Sequence, residues 1–197
     1  MKRYSLLILA FSTAFFLTSC LKDKNIEDQK YGMAGVTDIQ LVEFGFKGST
    51  TSPADAVYPV FTPTTLENVP SVKFTVPVNY AGADVAPQDI TLEIGVDPSL
   101  VTTYNAEQGS AYNALAANAY TIPATVVIPK GQRTATFEVT VRPTAFDQSK
   151  ENVLPVYIKS SSLGTISGNF GKAILSLPVK SIWEGTYTST TQNNYGT

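Results

Sequence analysis

The run VKFTVPVNY, residues 72–80, decides the fold class. Val72, Phe74, Val76, Val78 and Tyr80 alternate with Lys73, Thr75, Pro77 and Asn79. A period of two puts one set on a buried face and the other toward water, as in a half-buried β-strand. Pro77 predicts an edge or bulged strand, because proline gives no N–H to a ladder. ITLEIGV, residues 90–96, repeats the pattern with Ile90, Leu92, Ile94 and Val96 inward. TATFEVTVR, residues 134–142, does so with Phe137, Val139 and Val141. Residues 38–46, 124–129, 153–159 and 173–180 complete a set of seven. Pro129, Lys130 and Gly131 separate two of these runs, so residues 124–142 are expected to form a β-hairpin.

Seven short strands with turn residues between them, over residues 36–180, predict an all-β fold, an immunoglobulin-like two-sheet sandwich. The disulfide and core tryptophan of antibody domains are both missing, so packing alone must hold the core. A domain of this size can manage that, since it buries roughly 68–70% of its unfolded surface. One insertion breaks the rhythm. In DPSLVTTYNAEQGSAYNALAANAYTIP, residues 97–123, Asp97 suits an N-cap and Pro98 the first helical position. Leu100, Val101 and Tyr104 share one face and Gly109 can close the turn. A helix over residues 98–107 is expected, followed by an irregular crossover to Tyr120.

The N-terminus has a different character. Lys2 and Arg3 precede an uncharged run from Leu6 to Leu17, the length of a signal-peptide core and short for a bilayer span. Leu17, Thr18 and Ser19 then lead into Cys20, the only cysteine in 197 residues. This resembles the lipobox of bacterial lipoproteins. That resemblance implies cleavage after residue 19, a diacylglycerol (palmitate-type) thioether on Cys20 and an acylated amino terminus, hence stable attachment to a membrane. Without the leader, which holds two basic residues and no acid, 12 basic residues face 16 acidic ones. Such a balance does not point to nucleic acid. Residues 20–35 read as the lipidated cysteine and a flexible charged tether. Asp23, Glu27 and Asp28 loosely resemble the acidic signals that send lipoproteins of the Bacteroidota to the outer face of the outer membrane, and a solvated linker explains them equally well.

The text of the sandwich carries a second resemblance. Val96-Asp97, Tyr104-Asn105, Gly109 before Tyr112, Tyr120-Thr121, Ile128 to Gly131 and Leu154 to Val156 resemble the recurring text of N-terminal domains of unknown function in Bacteroidota surface lipoproteins. Where that family has proline after the second tyrosine, this chain has Ala116, Ala117 and Asn118. The resemblance implies an immunoglobulin-like module in a lipoprotein of polysaccharide capture, usually followed by a lectin-like, lipocalin-like or glycoside hydrolase module. Residues 181–197, with the sole tryptophan in WEGTY, resemble the opening strand of such a module, missing or truncated here; otherwise Trp183 and Tyr187 fold back on the sandwich.

Chemistry is sparsely marked. No histidine is present, so a Ser-His or Cys-His nucleophile cannot be built. Asp84, Asp89, Glu93, Asp97, Glu107 and Glu138 fall on turns or outward strand positions rather than in a motif, so neither a glycosidase pair nor a calcium loop is expected. No metal or cofactor is implied. Tyr104, Tyr112 and Tyr120 recur every eight residues. Tyrosines in a crossover can fill the gap between sheets, or they can stack on sugar rings. Tyr112, Tyr120 and Trp183 are the candidates for glycan contact. The strands show no outward aromatic cluster, so the chain is expected to bind polysaccharide weakly or not at all. The function expected is a non-enzymatic, lipid-anchored surface module that spaces or supports a glycan-binding partner. The alternatives are an adhesion or assembly subunit using an exposed sheet edge, and the N-terminal fragment of a surface glycoside hydrolase.

Overall fold

Residues 40–46, 50–82 and 84–181 are described by the computed structural model of the chain. The expectations for the leader, Cys20, the tether and Trp183 lie outside these residues. Seven strands of four residues or more are present: β1 (Leu41–Phe44), β3 (Val72–Ala81), β4 (Ile90–Val96), β7 (Thr125–Ile128), β8 (Thr134–Val141), β9 (Asn152–Ser161) and β11 (Lys172–Ser176). They coincide with the seven period-two runs. Four two-residue strands join them: β2 (Val60–Phe61), β5 (Asn113–Ala114), β6 (Tyr120–Thr121) and β10 (Thr165–Ile166). The single α-helix among the described residues, α1, covers Ser99–Gln108.

The strands form two sheets. One has the order β10-β1-β3-β8-β6, and the other runs β2-β11-β9-β4-β7 with β5 added to β9. Alternation does what it predicts. Phe74, Val76, Val78 and Tyr80 of β3 and Phe137, Val139 and Val141 of β8 face Ile90, Leu92, Ile94, Leu154, Val156, Ile158 and Leu175 of the other sheet in one continuous core. Each such side chain contributes about 1.5–3 kcal/mol by leaving water.

Two expectations are corrected. Residues 124–142 do not make a hairpin: β7 pairs with β4 and β8 with β3, in different sheets. The turn between them bonds to the β3–β4 loop instead. Gly131 N–H donates to Ala86 O (2.8 Å), Ala86 N–H to Gln132 O (3.0 Å) and Lys130 N–H to the Asp89 carboxylate (2.8 Å). With those partners taken, the turn bridges the sheets. Nor is the Pro77 strand an edge, since β3 runs between β1 and β8. Gly45 N–H donates to Pro77 O at 2.9 Å, so the imide nitrogen of Pro77 faces the β1 side, just where β1 ends at Phe44. The ladder to β8, opposite Thr136, needs nothing from that nitrogen.

Helix α1 lies on the outer face of the six-stranded sheet. Val101 and Tyr104 bury themselves with Val60, Val153 and Ile174, the outward residues of β2, β9 and β11, in a second small core. The rest of that outer face, farther along the strands, is left uncovered by the helix.

Candidate functional site

The crossover around α1 is where the tyrosines fall, and its local structure follows from short-range chemistry. Asp97 Oδ1 accepts the amide of Ser99 at 2.9 Å, which satisfies an N–H that no helical carbonyl can reach. The hydroxyl and amide of Ser99 hold the Asp97 carboxyl below its ordinary value. Gly109 ends the helix at φ 64°, a left-handed conformation that costs glycine little. The chain then reverses, and Asn105 catches it. Its Nδ2 donates to Tyr112 O (2.9 Å), while its Oδ1 accepts from Tyr112 N–H (3.0 Å) and the Ser110 hydroxyl (2.8 Å). This clamp sets the Tyr112 ring against Tyr104, with centroids 5.6 Å apart and planes inclined by 24°.

Tyr112 forms one wall of a groove of about 400 Å³, bordered also by Thr62, Gln148, Lys150, Glu151 and Leu177. Burial, and then the negative charge of Glu151, push the Tyr112 phenol above its ordinary value. It therefore remains a neutral donor beside a carboxylate and an amide, a set suited to hydroxyl groups. Asn152, at the groove floor, is buried and committed: it accepts from Asn113 Nδ2 (3.0 Å) and donates to Asp147 O (2.8 Å) and Lys150 O (3.0 Å).

Tyr120 is elsewhere. It opens β6, at the edge of the five-stranded sheet, pairs with Val141 and packs on the main core. Tyr112 and Tyr120 are thus not brought together, and Trp183 lies outside the described residues. Most of the carboxylates have local duties: Glu93 pairs with Lys159 (3.6 Å), Glu138 with Lys73 (2.8 Å), Asp89 holds the 129–131 turn and Asp97 caps α1.

Sequence reading missed an aromatic pair on the uncovered outer face. Tyr157 of β9 stands opposite Gly95 of β4 on one side and Lys172 of β11 on the other. The Lys172 ammonium lies 5.6 Å from the centre of the Tyr58 ring. Tyr58 precedes Val60 by two residues and shares its outward side. The signal for Tyr157 was present, since Leu154, Val156 and Ile158 point inward and leave Tyr157 outward. Its neighbours across the sheet depend on register, which alternation within one strand does not reveal.

Comparison with known proteins agrees with this architecture. A family model described as "-like, N-terminal domain" matches residues 52–164, more than half of the chain. None of the curated proteins matches. Solved structures with similar folds include a multidomain protein including DUF1735 from Bacteroides ovatus (24% identity, TM-score 0.56, covering 73% of this chain and 46% of that one). A putative carbohydrate binding protein from the same species is 18% identical, with a TM-score of 0.52 and coverage of 70% and 36%. An auxiliary nutrient binding protein from Bacteroides thetaiotaomicron is 17% identical, with a TM-score of 0.52 and coverage of 71% and 50%. The chain spans half or less of the length of each of these three structures.

Proposed function

The chain belongs to the family of N-terminal domains whose model spans residues 52–164, and from that premise we propose that it is a non-enzymatic, lipid-anchored module of the bacterial cell surface that holds or spaces a glycan-binding partner in polysaccharide capture. One observation carries this reading: of the residues of the crossover text, Asn105 holds the Tyr112 backbone, Tyr104 stacks on Tyr112, and Gly109 supplies the left-handed turn between them, all in fixing the fold. What that text specifies is architecture, which suits a support. The carboxylates with structural partners act as caps and surface ion pairs. The leader and Cys20 supply the membrane attachment. The similar structures named as carbohydrate and nutrient binding proteins lend support, and in each of them this fold is only part of a longer chain. Within this reading the Tyr112 groove is the place where the module itself would touch a sugar.

Labelling of intact cells tests the proposal. In a Bacteroides host carrying the gene, a membrane-impermeant biotin reagent should tag the chain, and mass spectrometry should find the mature N-terminus at a triacylated Cys20. Cys20→Ala should abolish both acylation and retention by the membrane. A chain that stays unlabelled on intact cells but is labelled after lysis would overturn the surface assignment, and a bare Cys20 would overturn the anchor.

A further inference from the structure

We propose that the uncovered outer face of the six-stranded sheet binds an extended acidic polysaccharide strand, with sugar rings stacked on Tyr58 and Tyr157 and a carboxylate held by Lys172 between them. This goes beyond the supporting role above, which does not require the domain itself to hold glycan.

The first observation is how Tyr157 is seated. A Cβ placed on Gly95 would lie 2.4 Å from its Cε1 and 2.7 Å from its Cζ, so the ring occupies the space where every other residue keeps a side chain. Glycine opposite an aromatic lets the ring lie down across the neighbouring strand. One side of Tyr157 rests on the β4 backbone and the side chain stays partly open to solvent. A flat aromatic surface that cannot be turned edge-on suits the C–H face of a pyranose.

The second is the row itself. Lys172, Tyr157 and Gly95 lie side by side on β11, β9 and β4, and Tyr58, in the bend two residues before β2, holds its ring beside the Lys172 ammonium. The two rings flank Lys172 from opposite sides, Tyr58 against its ammonium and Tyr157 on the next strand with its ring over Gly95. A glycan strand crossing the sheet would meet one ring, then the cation, then the other ring.

The third is charge. Lys73, Lys150, Lys159 and Lys180 each pair with a carboxylate, whereas the Lys172 ammonium sits against the Tyr58 ring and makes no ion pair among the described residues. The Asp97 carboxylate feels this ammonium only weakly, as the last of the influences on it, so the cation beside the aromatic surface keeps donors for the acid group of a uronic sugar. Lys159 and Glu93, outward residues next to the row, are placed to bond the hydroxyls of that strand.

The test uses the full chain purified in detergent, with surfaces coated by polygalacturonate, alginate or hyaluronate, and by pullulan or galactan as neutral counterparts. At least one acidic polymer should bind, and raising the salt should weaken it, because an exposed ion pair is screened. Tyr157→Thr keeps a strand-forming residue and should cost roughly tenfold or more in affinity. Lys172→Gln should cost a similar factor and remove the salt dependence. Lys73→Gln, which removes an exposed lysine from the other sheet, should change nothing. Each variant is first shown to unfold within a few degrees of the parent; if Tyr157→Thr does not, Tyr157→Phe and Lys172→Gln carry the test, the former retaining affinity and the latter losing it. Binding of neutral polymers alone, loss of binding in Lys73→Gln, or no binding to any acidic polymer would overturn the proposal. Surface labelling of the anchored chain is untouched by any of these results, so the two readings fail separately.

Discussion

Replacing Asn105 by alanine isolates the device that shapes the crossover. The amide makes three hydrogen bonds, two to the backbone of Tyr112 and one to Ser110. Ser110 can turn its hydroxyl to water, so its loss costs little. The Tyr112 N–H and C=O are part-buried and have no helical or sheet partner in their place. A net hydrogen bond contributes about 1 kcal/mol, and a buried group left unpaired costs about 1–3 kcal/mol. Partial access of water argues for the lower half of that range, so Asn105→Ala should destabilise the domain by about 2–3 kcal/mol. With a urea dependence of about 1–3 kcal/mol per molar, the midpoint should fall by roughly 1 M. Ser110→Ala, which leaves both Tyr112 bonds in place, should cost under about 1 kcal/mol. Urea titrations followed by far-UV circular dichroism measure all three proteins. A loss below about 0.5 kcal/mol for Asn105→Ala, or equal losses for the two variants, would refute the clamp.

Gly109→Ala should cost about 1–2 kcal/mol through backbone conformation alone, because φ is 64° and nothing lies within 4 Å of the added Cβ; a chemical denaturation curve reads it, and Gly109→Asn should cost less. Gly95→Ala should cost about 1–3 kcal/mol in the parent, where the Tyr157 ring is in the way, and much less in a Tyr157→Ala background. A double-mutant cycle without coupling would show that the ring does not rest on Gly95. Asp97→Asn should flatten the acid limb of stability. The carboxyl is held below its ordinary value of 3.8, so its contribution is present above that pH and is lost as pH falls through the lower folded value. Urea midpoints measured down that limb should therefore converge for parent and variant, and parallel curves would contradict the cap.

β3 and β8 were legible because each shows one face to the core and one to water, through Phe74, Val76 and Val78 and through Phe137, Val139 and Val141, whereas β9 and β11, covered in part on their outer side by α1, read as near-continuous apolar runs. Two-residue strands such as β5 and β6 are shorter than any period and exist only through their partners. The destination of β7 was also hidden. Pro129 and Gly131 announce a turn, but it is Ala86 and Asp89, more than 40 residues earlier, that decide where the turn leads. Helix α1 was legible to within a residue from Asp97, Pro98 and Gly109, all of which act locally. The eight-residue spacing of Tyr104, Tyr112 and Tyr120 suggested one set. The left-handed turn at Gly109 keeps the first two together, while the chain beyond Leu115 carries Tyr120 to the other sheet. Glycine at 95 gave no sign of its role, since only the register of β4 with β9 sets it beneath Tyr157.

Retention of polysaccharide by living cells tests the central claim most directly. Cells carrying the gene, and cells in which residues 36–180 are deleted in frame while the leader and Cys20 remain, are incubated with a panel of fluorescent polysaccharides, and both the bound label and the length of the recovered polymer are measured. A surface module that supports capture without catalysis predicts that at least one polymer is retained by the first cells, lost from the second, and recovered at unchanged length from both. Equal retention of every polymer by the two strains, or shortening of a polymer only where residues 36–180 are present, would contradict it.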